Sequence, residues 1–373
     1  FHYYLCRQLK GGGMEIIMSN KKLDMIFSVV KTFLAILIAM VVALIIILCI
    51  SDEPLTALHS FLLGPFTNIR RIGNLVENTV PLIFVGLGVC VLWATGKRTL
   101  SGEGCYYFGG LFGALMALKF TVVSGKALTV TSLIAVIAVC GLLALLPIVV
   151  NMKYGADDFV VSLLFNYVIF YVGNYIFSNY LMDITSTSSG SYLLPEDTFF
   201  PTLVEKTKIN GSLIVALVMV VLTWFFLYKT KWGYRIRLIG INANYARYIG
   251  INVLGMCLLA QFIGGAISGL GGGVEMFGHN SRFAWFSLTN MGWDGIMVAT
   301  LAYYKPQYIL LSALFLGYVR TGADIMNRTS DVASEIVLVI QAIMILFIGA
   351  KSFMAGTQQK LRVKYSTEER KGA

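Results

Sequence analysis

Predominantly apolar runs of bilayer-crossing length recur along this chain, beginning with 26–50, about 25 residues and too long for a signal-peptide core. In hydrocarbon the backbone amides and carbonyls must be satisfied internally, so runs of this length fold as helices. Of the 373 residues 57% are hydrophobic and only 13% charged, about half the charge of a soluble domain. The fold class is therefore all-α and polytopic.

Short loops fix the direction of each crossing. Lys21 and Lys22, Lys97 and Arg98, Lys153, Lys305 and the cluster Lys229, Lys231, Arg235, Arg237 and Arg247 mark cytoplasmic loops. The longest loop, 183–210, is slightly acidic and reads as external. The spans so ordered are 26–50, 74–95, 104–120, 128–150, 158–182, 211–228, 254–273, 286–304, 307–319 and 332–350. That makes about ten membrane helices with both termini cytoplasmic, in an inner (plasma) membrane, and the ninth is short enough for a half-span. Residues 1–25 form a cytoplasmic lead, of which 1–13 have no pattern and Met14 or Met18 reads as the natural start. Residues 26–350 form the membrane domain, and 351–373 a basic cytoplasmic tail. The net charge of +10 reads as topology with attraction to membrane lipid, and not as nucleic-acid binding.

Several spans carry features that break or seam helices. Pro81, Gly86 and Gly88 predict a bent or broken second span. Gly109, Gly113 and Ala117 recur at four-residue spacing, a face that admits another helix closely. Gly265, Gly269 and Gly273, with Gly264, Ser268 and Gly272 on the next stripe, form the densest such seam. The run from Leu100 to Gly109 echoes that from Leu270 to Gly278, which two five-span halves would explain and chance explains about as well.

Within the polar stretch 229–252, Asn242 or Asn244 caps a helix start and Gly250 suits the left-handed position after its end. Tyr245, Tyr248 and Ile249 fall on one face of about two turns, and Ala246 keeps the opposite side slim. Such a face reads as a peg for a groove in another protein, or as a helix folded onto this protein's own surface.

No enzyme constellation is present. Gly96-Lys97, Gly125-Lys126 and Gly349-Ala350-Lys351 lack the partner residues of a phosphate-binding loop, so the driving energy comes from another subunit or an ion gradient. The six cysteines are scattered, and His2, His59 and His279 stand in no ligand motif, so no metal or cofactor is expected. The acids inside the membrane domain are Glu77, Glu103, Glu275, Asp294 and Glu335; each costs roughly 2.5–3.5 kcal/mol near the bilayer centre and needs a partner or a task. Glu103 and Glu275 sit among glycines whose backbone amides can satisfy a carboxylate, and the helix dipole favours Glu335 near a helix start. Asp294 is the best polar candidate for lining a path, and Trp293 and Phe277 could stack on a flat ligand, although aromatics in spans more often pack.

The run Thr230-Lys-Trp-Gly-Tyr-Arg-Ile-Arg-Leu-Ile-Gly-Ile-Asn242, followed by Ala246-Arg-Tyr-Ile-Gly-Ile-Asn-Val253, resembles the permease subunits of ABC importers for nucleosides and simple sugars. These are kin of the ribose and branched-chain amino acid permeases. The resemblance continues through Ser268-Gly-Leu-Gly-Gly-Gly-Val-Glu-Met-Phe-Gly278 and Gly292-Trp-Asp-Gly-Ile-Met-Val-Ala-Thr-Leu301. It implies that Gly240, Asn242, Tyr245, Ala246, Arg247, Tyr248, Ile249 and Gly250 meet an ATPase subunit. It also implies that two broken regions, 102–104 and 272–278, flank a channel together with Glu103, Asn166, Glu275, Phe277, Trp293 and Asp294. The partners implied are the ABC ATPase, a second permease subunit and an external substrate-binding lipoprotein. Thr99-Leu-Ser-Gly-Glu-Gly-Cys105 departs from the Asn-Ile-Gly-Ala-Glu-Gly-Gln common in relatives, and Ala302-Tyr-Tyr-Lys-Pro306 lacks their Gly and Asn-Pro. Both changes bear on the cargo. The competing class is an ion-coupled secondary carrier that works alone.

Overall fold

The computed structural model describes residues 53–120, 125–184, 190–204, 207–278 and 280–330, with isolated positions at its flanks. Residues 59–329 form one compact unit and the flanks 1–58 and 330–373 another. The expected spans 26–50 and 332–350, the tail 351–373, His279 and Glu335 fall outside the described residues. The exceptions are Leu37, Ile38, Val41, Val42, Ile45, Leu48, Val339 and Ala342, which are helical.

The described helices are α1 Pro54–Leu62, α2 Ile69–Leu92, α3 Gly102–Lys119, α4 Lys126–Leu143, α5 Leu145–Tyr154 and α6 Asp158–Ile176. Beyond the loop that follows come α7 Ser212–Lys229, α8 Lys231–Ile241, α9 Ala243–Tyr248, α10 Val253–Gly278, α11 Met291–Leu301 and α12 Pro306–Thr329. Their ends follow local chemistry. Asn68 accepts from the Arg70 amide ahead of α2, Asp157 from the Phe159 and Val160 amides ahead of α6, and left-handed Gly155 closes α5. Among the described residues, six helical segments are long and apolar enough to cross a membrane: Ile69–Thr95, Lys126–Tyr154, Asp158–Leu181, Ser212–Lys229, Val253–Gly278 and Pro306–Thr329. The chain is an all-α, multi-pass membrane protein.

At the centre stands α10, packed against α2, α3 and α4. The glycine stripes place it there. Gly109 on α3 meets the Gly269 backbone with no room for a Cβ, Gly272 sits as tightly on the Tyr106 carbonyl, and Gly88 on α2 faces Ser268. Removing side chains lets the backbones close to van der Waals distance, which is where helix association in lipid gains its energy.

Four expectations about breaks and lengths are corrected. Pro81 lies inside a continuous α2, so the second span is unbroken, and Gly86 and Gly88 are points of close approach to Val298 and Ser268. Residues 272–278 are the unbroken last turns of α10. Between the first and second expected spans the chain forms α1 and the first turn of α2. The eighth span shortens to the 11 residues of α11, whereas the ninth lengthens to the 24 of α12 and runs on to Thr329. Arg320, just past the expected end at Val319, is paired with Asp294 within the bundle, so the helix continues past it. The echo between residues 100–109 and 270–278 falls on the start of one helix and the end of another, so it marks no equivalent elements.

Candidate translocation cleft and docking helix

Two helices begin near the middle of the bundle. Gly102, the first residue of α3, packs on Ser268, roughly midway along α10. From there α3 runs beside the second half of α10, through Gly109 at Gly269 and Gly113 at Phe277. The first residues of α11 meet Glu103 at the same level, and α11 then follows α2 from Val85 toward Trp93. Non-helical backbone at such depth survives only where every polar group is satisfied.

The sequence supplies those partners one by one. Asn166 on α6 accepts from the Gly104 amide at 3.1 Å and donates to the Leu100 carbonyl at 3.0 Å. Ser162 accepts from the Leu100 amide at 2.8 Å. Gln261 on α10 donates to the Leu92 carbonyl at 3.0 Å and accepts from Thr99 at 2.8 Å, and the Trp93 indole donates to the Thr99 carbonyl at 2.8 Å. Ser162 and Gln261 escaped the sequence reading, and Thr99 entered it only as a departure from relatives. The available signal was a polar side chain in an apolar run, as in Leu259-Ala-Gln-Phe262, because an intramembrane polar group needs a partner.

Glu103 joins the two half-helices. Its carboxylate accepts from the Asn290 amide at 2.7 Å and the Gly292 amide at 2.5 Å, with the Thr289 hydroxyl at 3.5 Å. Those amides are the free donors at the start of α11, where a negative charge also opposes the positive end of the helix dipole. The amides come from α11 and not from glycines beside Glu103, as the sequence had suggested. Asn290 holds the turn in a left-handed conformation (φ 59°), which asparagine tolerates better than most residues.

Of the six residues expected to flank a path, three converge. Glu103, Asn166 and Trp293 line one cleft of about 390 Å³, together with Tyr167, Phe170, Tyr171, Phe286 and Asn290. Trp293 is 44% exposed and meets Phe159 edge-on. The others sit elsewhere. Asp294 is 3% exposed and forms an ion pair with Arg320 of α12, so it ties α11 to α12. Phe277 is fully buried in the cluster of Tyr107, Leu111, Phe177 and Phe283, and Glu275 accepts from the Tyr106 hydroxyl.

The polar stretch forms two helices, where the sequence predicted one. Thr230 caps α8, accepting from the Gly233 amide at 3.1 Å, and the chain folds back so closely that Gly233 has no room for a Cβ against Phe226. Gly240 is pressed equally tightly onto the Ala94 carbonyl, in the turn Trp93–Thr95 that follows α2. Asn242 breaks α8 and caps α9, accepting from the Tyr245 amide at 3.0 Å. Left-handed Gly250 (φ 82°) ends it, and the Ile251 amide donates back to Ala246. Ala246 is buried among Ile239, Cys257 and their neighbours. Arg247 and the face of Tyr245, Tyr248 and Ile249 are exposed, Tyr248 by 90%.

A family model described as branched-chain amino acid transport system / permease component matches residues 71–349. The guanosine ABC transporter permease protein NupP of Bacillus subtilis (strain 168) is 29% identical over 307 residues, 81% of this chain and 87% of that protein. The nucleoside ABC transporter permease protein NupB of Lactococcus lactis subsp. cremoris (strain MG1363) is 26% identical over 336 residues, covering 87% and 91%. A glucose ABC transporter permease protein of Haloferax volcanii, TsgB13, is 24% identical over 330 residues, covering 86% and 87%.

Proposed function

This chain belongs to the branched-chain amino acid transport permease family and is a permease subunit of an ABC importer, and we propose that its cargo is a nucleoside. Two of the relatives are named for guanosine and nucleoside transport. The cleft wall supports the choice, because Trp293, Phe286, Tyr167 and Tyr171 offer faces on which a nucleobase can stack. A simple sugar is the second candidate, on the glucose relative.

The observation that carries the mechanism is the α9 helix. Its buried Ala246 fixes it to the body while Tyr245, Tyr248 and Ile249 stand free, which suits insertion into a groove of a separate ATPase subunit. Force applied there has a short route inward. α9 follows α8 directly, Gly240 of α8 bears on Ala94, Trp93 is bonded to Thr99, and Leu100 and Glu103 lie at the cleft. Closure of two ATPases would pull α9, shift the segment from Trp93 to Leu100, and tilt α3 against α11 about the Glu103 junction.

Exposed Leu164, Val168 and Tyr171 of α6, of which Tyr171 lines the cleft, offer a surface for a second permease subunit, either a further copy or a related chain. An external substrate-binding lipoprotein would deliver cargo at the opposite end, in a bacterial plasma membrane with both termini cytoplasmic. Among the described residues the intramembrane acids Glu77, Glu103, Glu275 and Asp294 are each engaged by a donor, which weighs against the ion-coupled carrier.

The test is reconstitution with ATPase, binding protein and second permease in vesicles. Labelled nucleoside should enter only with ATP, and unlabelled nucleosides should compete better than sugars. Uptake that continues without ATP and collapses with an uncoupler would overturn the importer reading, and competition by sugars alone would overturn the cargo.

A further inference from the structure

Away from the cleft, α4, α7 and α10 enclose an apolar groove of about 410 Å³, within the range of ligand-sized sites of roughly 300–1,000 Å³. Its walls include Ile137, Thr223, Phe226, Phe262, Ala266 and Leu270. Among the described residues, the hydroxyls lining it are those of Thr223 and Thr230, and both are turned back onto the Met219 and Phe226 carbonyls. An occupant therefore meets hydrocarbon alone. The groove opens on the side of α7 where Val218, Val221, Leu222 and Phe225 are each about half exposed.

One end of this groove is chemically different from the rest. It reaches Thr230, the cap of α8, and α8 folds back over Phe226 at Gly233. On that helix Lys231, Trp232, Tyr234 and Arg235 are exposed, with no acidic residue between Lys229 and Val253. Exposed tryptophan and tyrosine beside basic residues is the composition of a helix at a membrane interface.

We infer that this groove and the first turns of α8 bind one anionic glycerophospholipid, its acyl chain between α4, α7 and α10 and its phosphate at Lys231 and Arg235. The apolar length alone would accept any lipid tail. Charge complementarity selects the headgroup, and it separates this site from the general attraction of a basic protein to a bilayer. Neither residue belongs to the α9 face, so the site stands whether or not α9 docks an ATPase.

The chain, purified in a neutral detergent, is offered phosphatidylglycerol or phosphatidylcholine of the same acyl composition. Retained lipid is counted by mass spectrometry, with circular dichroism confirming the fold. Wild type should retain phosphatidylglycerol roughly thirtyfold better, from two basic side chains at an anionic surface. Lys231→Gln with Arg235→Gln should erase that preference while leaving basal retention, and Ala266→Phe should lower retention of both lipids by filling the groove. If Ala266→Phe does not fold, Leu222→Trp at the exposed rim tests the same point. Equal retention of the two lipids by wild type, or an unchanged preference in the charge variant, would overturn the assignment. So would unchanged retention in the groove-filling variants. A charge variant that loses only ATPase association would give these side chains to a protein partner instead.

Discussion

Replacing Glu103 by glutamine keeps its size and removes its charge, at a side chain only 2% exposed. The carboxylate takes two backbone amides, at 2.7 and 2.5 Å, each a hydrogen bond to a charged group worth about 1.5–3 kcal/mol. The amide oxygen of glutamine can accept one of them, but its NH2 must face the other donor. The expected loss is about 2–3 kcal/mol, and Glu103→Ala, which orphans both donors and leaves a cavity, should cost about 4–6 kcal/mol. At roughly 2–4 °C per kcal/mol for a chain of this order of size, Glu103→Gln should lower Tm by about 5–10 °C and Glu103→Ala by more. Thermal unfolding in detergent, paired with vesicle uptake, reads both effects. Should Glu103→Gln leave Tm unchanged yet abolish uptake, the carboxylate would be serving the cargo or a proton, and its role as the clasp between half-helices would be refuted.

The pair of buried Asp294 and part-buried Arg320 should behave as a unit. Asp294→Asn or Arg320→Gln alone should each cost about 3–5 kcal/mol by stranding a charge, while the double variant recovers much of it, measured as a thermal double-mutant cycle. Gly240→Val drives a side chain into the Ala94 carbonyl and should uncouple the chain. ATP hydrolysis by the assembled complex should lose its dependence on cargo and binding protein, with uptake falling at least tenfold. Gly109→Ala opposes two helix backbones with no soft side chain to yield, and should reduce the folded yield far more than Gly113→Ala on the same helix, whose added Cβ meets nothing nearer than 3.5 Å, as gel filtration will show.

Charge and glycine spacing made much of this molecule legible. The stripes Gly264, Ser268 and Gly272 and Gly265, Gly269 and Gly273 pointed to the helix that became the hub, and of the two caps offered for α9 it is Asn242 and not Asn244 that starts it, with Gly250 at its end. Two kinds of feature were hidden for physical reasons. Hydropathy cannot see that Arg320 is neutralised by Asp294, 26 positions earlier, so α12 looked short. Nor does glycine content tell a helix break from a tight contact, which is why Gly86, Gly88 and 272–278 were misread. Asp294 attracted attention as an intramembrane acid, but only its distant partner decides that it ties helices together. Trp293, its neighbour on the same turn, points into the cleft because successive helix positions lie about 100° apart.

The claim that α9 is the point of attachment to a motor subunit is tested most directly at Tyr248, which is 90% exposed and so contributes little to the fold. In a docked groove its truncation to alanine would remove about 2 kcal/mol of binding, a roughly thirtyfold weaker complex. Affinity of the ATPase for wild type and Tyr248→Ala, measured on immobilised permease, should differ by that factor while the two chains unfold at the same temperature. Equal affinities, with the ATPase still bound, would contradict the proposed attachment.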